Sequence, residues 1–182
     1  MTLTNTRDRY GSLSIALHWL MLILLAAVYA CIELRGMFPK DSAERALMKD
    51  LHFMLGLSVF VLVWLRLLLR VISPTPRIEP NPPAWQRGLA TLMHWALYAM
   101  MIGLPVAGWL ILSASDKPIP FYGFNLPALI APDPDLGKQI KGWHELIASL
   151  GYWLIGLHAL AGLYHHYVSR DNTLRRMLPK AD

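Results

Sequence analysis

Residues 13–32, 51–72, 89–112 and 143–168 form four apolar runs, each with at least the roughly 20 residues a helix needs to cross ~30 Å of hydrocarbon. No other feature restricts the fold as strongly. Backbone in lipid must satisfy its own hydrogen bonds, so a spanning segment is either a helix or a strand of a closed barrel. The runs lack the alternation of polar and apolar residues that a barrel strand carries. The expected fold is therefore an all-α integral membrane protein, a four-helix transmembrane bundle in one domain over residues 1–182. Composition agrees: 55% of residues are apolar and 16% charged, too apolar for a soluble domain of this size.

The polar stretches are residues 1–12, 33–50, 73–88, 113–142 and 169–182. An even number of spans returns both termini to one side. That side carries ten cations (Arg7, Arg9, Arg66, Arg70, Arg77, Arg87, Arg170, Arg175, Arg176 and Lys180) against four acids (Asp8, Glu79, Asp171 and Asp182). The opposite loops balance at seven and seven. Basic residues favour the cytoplasm, so both termini are expected on the cytoplasmic side of the membrane, with lipid as the surrounding partner and no nucleic acid. Arg66 and Arg70, at the inner end of the second run, are expected to snorkel to the headgroups. The proline-rich 73–88 stretch reads as a stiff extended connector. The 113–142 stretch is the segment expected to form a small outer cap, with a short surface helix near residues 135–141.

The lone cysteine, Cys31, excludes an intramolecular disulfide and a Cys-x-x-Cys-His haem attachment. It reads as a small apolar residue. Tyr29 and Ala30 before it make a poor signal-cleavage site, so the first run is expected to be a retained helix.

Histidines occur inside all four runs: His18, His52, His94, His144 and His158. Polar side chains at membrane depth are costly and mark metal, proton or ligand sites. With the termini inside, His52 and His144 each stand at the second position of an inward-running segment, near the outer surface. His18 and His94 each stand five residues into an outward-running one, in the inner half. His158 follows His144 by fourteen residues, about 21 Å deeper and only about 40° short of whole turns. The two therefore face the same way at two depths, with Gly151 halfway between them leaving room for a bulky group or close helix approach. His165 continues the stripe.

A haem iron offers two axial positions, which histidines from two helices can fill across a bundle core. The outer layer contains two candidates, His52 and His144. The inner layer offers His158 or His165 on the fourth segment, with His18 or His94 opposite. Depth favours His158, since His165 is close to the interface, but does not separate His18 from His94. A zinc site needs three or four ligands at one depth, which the outer layer does not supply. His94 alone reads equally as a packing residue. His165 and His166 are adjacent, so their side chains diverge; they read as interfacial polar groups or quinone contacts.

The stretches IALHWL, ELRGMFP, RLLLR with PTP, KGWHELIASLGYWLIGLHALAGLYHHY and DNTLRRMLP resemble the bacterial cytochrome b561 family over most of the chain. The resemblance implies a four-helix bundle holding two b-type haems, with His18 and His158 as axial ligands of the inner iron and His52 and His144 of the outer one. It further implies one-electron transfer from a periplasmic donor through the outer and then the inner haem to ubiquinone, the donor being superoxide in closely similar members. Lys49 and Lys141, each three residues before an outer ligand, are candidates for steering that anion. They read equally as partners of haem propionates or lipid phosphates. His94, His165 and His166 are candidates for quinone contact or proton relay. The alternative the resemblance leaves open is a haem b anchor subunit that relays electrons between a periplasmic hydrogenase or dehydrogenase and quinone.

Overall fold

The computed structural model describes residues 2–179. Lys180 and Asp182, counted above in the charge balance, lie outside the described residues. Four helices carry the chain: α1 (Ser12–Leu34), α2 (Ala43–Ile72), α3 (Ala84–Ala114) and α4 (Pro134–Tyr167). Two strands of two residues each, β1 (Pro120–Phe121) and β2 (Phe124–Asn125), pair antiparallel between α3 and α4. All four helices are long and apolar enough to cross a membrane. Their large apolar side chains lie open along the flanks, as at Ile23, Val61, Leu92 and Trp153, which are 56–74% exposed. Such a surface is suited to lipid rather than water.

The helices begin earlier than the hydropathy runs. α2 starts eight residues before the expected position, α3 five and α4 nine. Local capping chemistry accounts for the difference in α2 and α4. The Ser42 hydroxyl accepts from the Arg45 backbone N–H at 3.2 Å. One Asp133 carboxylate oxygen accepts from the backbone N–H groups of Asp135 and Leu136 at 3.2 and 3.0 Å, and Pro134 occupies the first helical position. Polar residues carry these helices beyond the apolar zone. The expected separate surface helix at 135–141 is thereby corrected: it is the first two turns of α4. His52 and His144 consequently lie well inside α2 and α4, not at their mouths.

The described chain forms two compact units, and every helix contributes a stretch to each. One unit comprises residues 21–63 and 100–149. Its apolar cluster is Leu57, Leu112 and Ile119, with Phe53, Trp109, Phe121 and Leu126 packed against it. The hairpin turns at Tyr122 and Gly123, both at positive φ, as a two-residue turn between twisted strands requires. It is tied down by the Trp109 indole N–H, which donates to the Pro127 carbonyl at 2.9 Å, and by the Leu129 backbone N–H, which donates to the Ser113 hydroxyl at 3.1 Å. Gly137 lets α4 start against α3: a Cβ there would lie 3.2 Å from the Ala114 Cβ.

The other unit comprises residues 1–20, 64–99 and 150–182, as far as they are described. Three polar segments are laced together here. The Asn5 amide donates to the Pro74 carbonyl at 3.1 Å, and the Arg77 backbone N–H to the Arg7 carbonyl at 3.0 Å. Asn172 and Glu79 exchange two bonds, at 2.9 and 3.1 Å. The buried Arg176 guanidinium donates to the Pro76 carbonyl. The Trp19 indole donates to the Met177 carbonyl at 2.8 Å. The 73–88 connector is thus one third of an ordered terminal-side cap.

Candidate functional site

In the first unit, α2 and α4 bring the rings of His52 and His144 to a centroid separation of 6.3 Å, with the planes 70° apart. His52 Nδ1 lies 2.9 Å from the Val28 carbonyl of α1. A carbonyl only accepts, so Nδ1 carries the proton and the lone pair is on Nε2. That is the usual arrangement behind a metal-bound imidazole. The Leu104 carbonyl faces the His144 ring, but Nδ1 is buried without a hydrogen bond. Gly108 of α3 lies beside this ring, where a Cβ would make an ordinary contact 3.8 Å from the imidazole.

The second unit gathers three histidine rings. His158 of α4 has its centroid 6.2 Å from that of His18 on α1 and 5.6 Å from that of His94 on α3. Two imidazoles on opposite sides of one metal, with ~2 Å per metal–nitrogen bond, have centroids about 6.3 Å apart. The His52–His144 and His18–His158 pairs match that span; His94–His158 is shorter. Among the described residues, no three His, Cys, Asp or Glu side chains converge on a common ion position. Each pair could supply two imidazole ligands, the number of axial positions a haem iron offers.

One inner contact runs against immediate ligation. The expectation that Arg66 snorkels is corrected: its guanidinium lies 2.8 Å from His18 Nδ1. Arginine can only donate, so in a neutral ring the proton sits on His18 Nε2. His18 can offer Nε2 to iron as an ordinary neutral imidazole once Arg66 has let go of Nδ1. The charge of Arg66 also acts on His94 and His158. Arg70, by contrast, is exposed, as a residue at the headgroups is.

His165, near the end of α4, lies 2.5 Å through Nδ1 from Asp171 Oδ2. The side chains are 16% and 3% exposed. Burial pushes the Asp171 carboxyl up, but its bonds with His165 and the Thr173 backbone N–H outweigh that and hold it below the usual carboxylate range. His166 turns elsewhere, its ring centroid 4.7 Å from that of Tyr167 and its Nδ1 buried without a partner. Of the two lysines singled out in the sequence, Lys141 pairs with Glu145 at 3.4 Å, both well exposed, and Lys49 is half-buried. The cation whose charge reaches His52 is Arg35.

Arg35, Arg66 and Asp171 had no assigned contact from spacing alone. Arg35 follows α1 in a 3₁₀ turn, Arg66 is turned inward, and Asp171 depends on how α4 ends. ELRGMFP and DNTLRRMLP contained two of them without revealing their partners.

The chain matches the prokaryotic cytochrome b561 family over residues 9–180. It belongs to that family. Cytochrome b561 homolog 1 of Escherichia coli K12 is 42% identical over 173 residues, covering 95% of this chain and 98% of the relative. A Yersinia pestis protein named probable superoxide oxidase CybB is 41% identical over 172 residues, covering 94% and 97%. Cytochrome b561 homolog 2 of E. coli K12 is 32% identical over 189 residues, covering 100% and 97%. The chain is an integral membrane electron-transfer protein of the b561 type, and its cofactors are two b-type haems.

Proposed function

We propose that this cytochrome b561 takes single electrons from superoxide at its outer face and delivers them to ubiquinone. In this reading His52 and His144 hold the outer haem, and His18 and His158 the inner one. The observation that carries it is the pair of ring separations, 6.3 and 6.2 Å, each on two helices. When bound, each haem supplies a one-electron redox centre inside protein of low dielectric.

The residues' own parts follow from their contacts. The Val28 carbonyl holds His52 in the tautomer that offers Nε2. Arg66 prepares the inner site by occupying His18 until the ligand is needed. Arg35, Lys49 and Lys141 supply positive charge beside the outer pair, where an anionic donor would be drawn in with a salt-dependent rate. Superoxide loses one electron and leaves as O2, so that step needs no general base. The choice of superoxide is supported by the name of the Yersinia pestis relative, probable superoxide oxidase. The excess of cations over acids on the terminal side supports both termini in the cytoplasm, and membership of a prokaryotic membrane family supports a bacterial inner-membrane location.

Stopped-flow mixing of superoxide with the oxidised holoprotein tests the reading. The haem bands should move to their reduced positions, then return when a short-chain ubiquinone is added. Bands that dithionite reduces but superoxide leaves untouched would exclude superoxide as the donor.

A further inference from the structure

We propose that His165 and Asp171 form the proton-delivering dyad for quinone reduction, with Asp171 as the residue that positions His165. The proposal rests on the reading above that quinone is the electron acceptor, and extends it to the proton side of that reaction.

The dyad arises from the way α4 ends. Arg170 adopts a left-handed backbone conformation, φ 53°. The chain doubles back, and the Asp171 backbone N–H donates to the His165 carbonyl at 3.1 Å. This brings the Asp171 carboxylate to His165 Nδ1 on the same helix's last turn. Thr173 holds the other carboxylate oxygen, its backbone N–H donating to Oδ1 at 2.8 Å. Arg176, stacked 5.6 Å from the Tyr10 ring centre, is close enough for the Asp171 charge to act on it. The carboxylate is therefore fixed at both oxygens, and His165 Nδ1 is fixed with it.

Such an arrangement does more than stop a helix. With Nδ1–H committed to the carboxylate, Nε2 is the ring atom left to exchange a proton, as in a carboxylate-oriented general acid or base. The His165 side chain retains 16% exposure while that of Asp171 has 3%, so the histidine is the more accessible member of the pair. His165 also follows His158 by seven residues on α4, two turns with about 20° of angular offset and a rise of about 10 Å. A quinone headgroup bound on that face would lie between the inner ring pair and a proton donor.

The balance is simple. Two superoxide anions each give up one electron and leave as O2. The quinone takes both electrons, and its two carbonyl oxygens each take one proton to give the quinol. His165 Nε2 passes these protons one at a time and is recharged from water on the terminal side. Asp171 remains ionised and stabilises the transient imidazolium.

The test uses holoprotein reduced with dithionite, freed of excess reductant, and mixed with ubiquinone-1, so that it does not depend on the donor. Wild-type haem should be reoxidised with stoichiometric quinol. His165→Gln should slow quinol formation about a hundredfold, the usual size of a lost general acid, with two haems per chain and normal superoxide-driven haem reduction. Added imidazole should restore part of the rate in His165→Ala. Asp171→Asn should slow the reaction about tenfold, and Asp171→Glu should recover some of that loss. A hydrogen isotope effect in D2O should be present in wild type and Asp171→Asn. If wild type transfers no electrons to ubiquinone-1, the quinone reading fails. If wild type does so and both His165 variants match it, or imidazole gives no rescue, the dyad proposal fails while that reading stands.

Discussion

At the scale of single residues, the inner histidines differ by their partners more than by their depth. Hydropathy places His18 and His94 alike, five residues into their runs, and cannot choose between them. The centroid separations of 6.2 and 5.6 Å from His158 and the Arg66 contact distinguish them. Arg66 should accordingly tune the inner centre. A nearby cation favours the reduced, more negative state, so Arg66→Gln should lower the inner midpoint potential by about 50 mV, ~1 kcal/mol for one electron. Redox titration should find both haems present and the outer potential unmoved. The same reasoning ranks the outer cations. Arg35 acts on His52, whereas Lys141 is paired with Glu145. Arg35→Glu should slow superoxide-driven haem reduction about tenfold at low salt, Lys141→Glu less, and both differences should shrink as ionic strength rises. Equal rates for Arg35→Glu and wild type in low salt would remove the steering role.

At the scale of elements, hydropathy located every helix but not where three of them begin. A hydropathy run marks the part that sits in hydrocarbon, while a helix continues until capping ends it. The Asp133–Pro134 start of α4 is set by capping that hydropathy does not register, so the polar residues after it read as a separate surface helix. Asp133→Ala should cost ~1 kcal/mol and lower the melting temperature by a few degrees. Gly137→Val should cost more, because a Cβ alone already comes within 3.2 Å of Ala114. The terminal-side cap was not legible at all. Its bonds join Asn5 to Pro74, Arg176 to Pro76 and Asn172 to Glu79, residues with no sequence pattern linking them. Asp171 anchors this cap and gives it a pH dependence of known sign. Its folded carboxyl titrates below the usual range, so its stabilisation is fully present above about pH 4 and is lost as pH falls through the lower folded value. Thermal melts should show Asp171→Asn less stable than wild type at pH 7 by about 2 kcal/mol, with the gap closing below pH 4. A gap that stays constant to pH 3 would mean the carboxylate is not the stabilising group.

At the scale of the whole molecule, four spanning helices carry two histidine pairs, one in each compact unit. This much was foreseeable because the period of a helix is fixed: fourteen residues on α4 return a side chain to nearly the same face. The ring separations were not foreseeable, since they depend on how closely the helices of each unit approach. Family membership supplies the two b-type haems; the four histidines are the proposed means of holding them. Haem stoichiometry per chain, by pyridine haemochrome assay on purified variants, tests that proposal most directly. His52→Ala and His158→Ala should each lose one haem and its own optical component, and the double variant should lose both. Two haems with unchanged spectra in either single variant would contradict the ligand pairs on which the electron route depends.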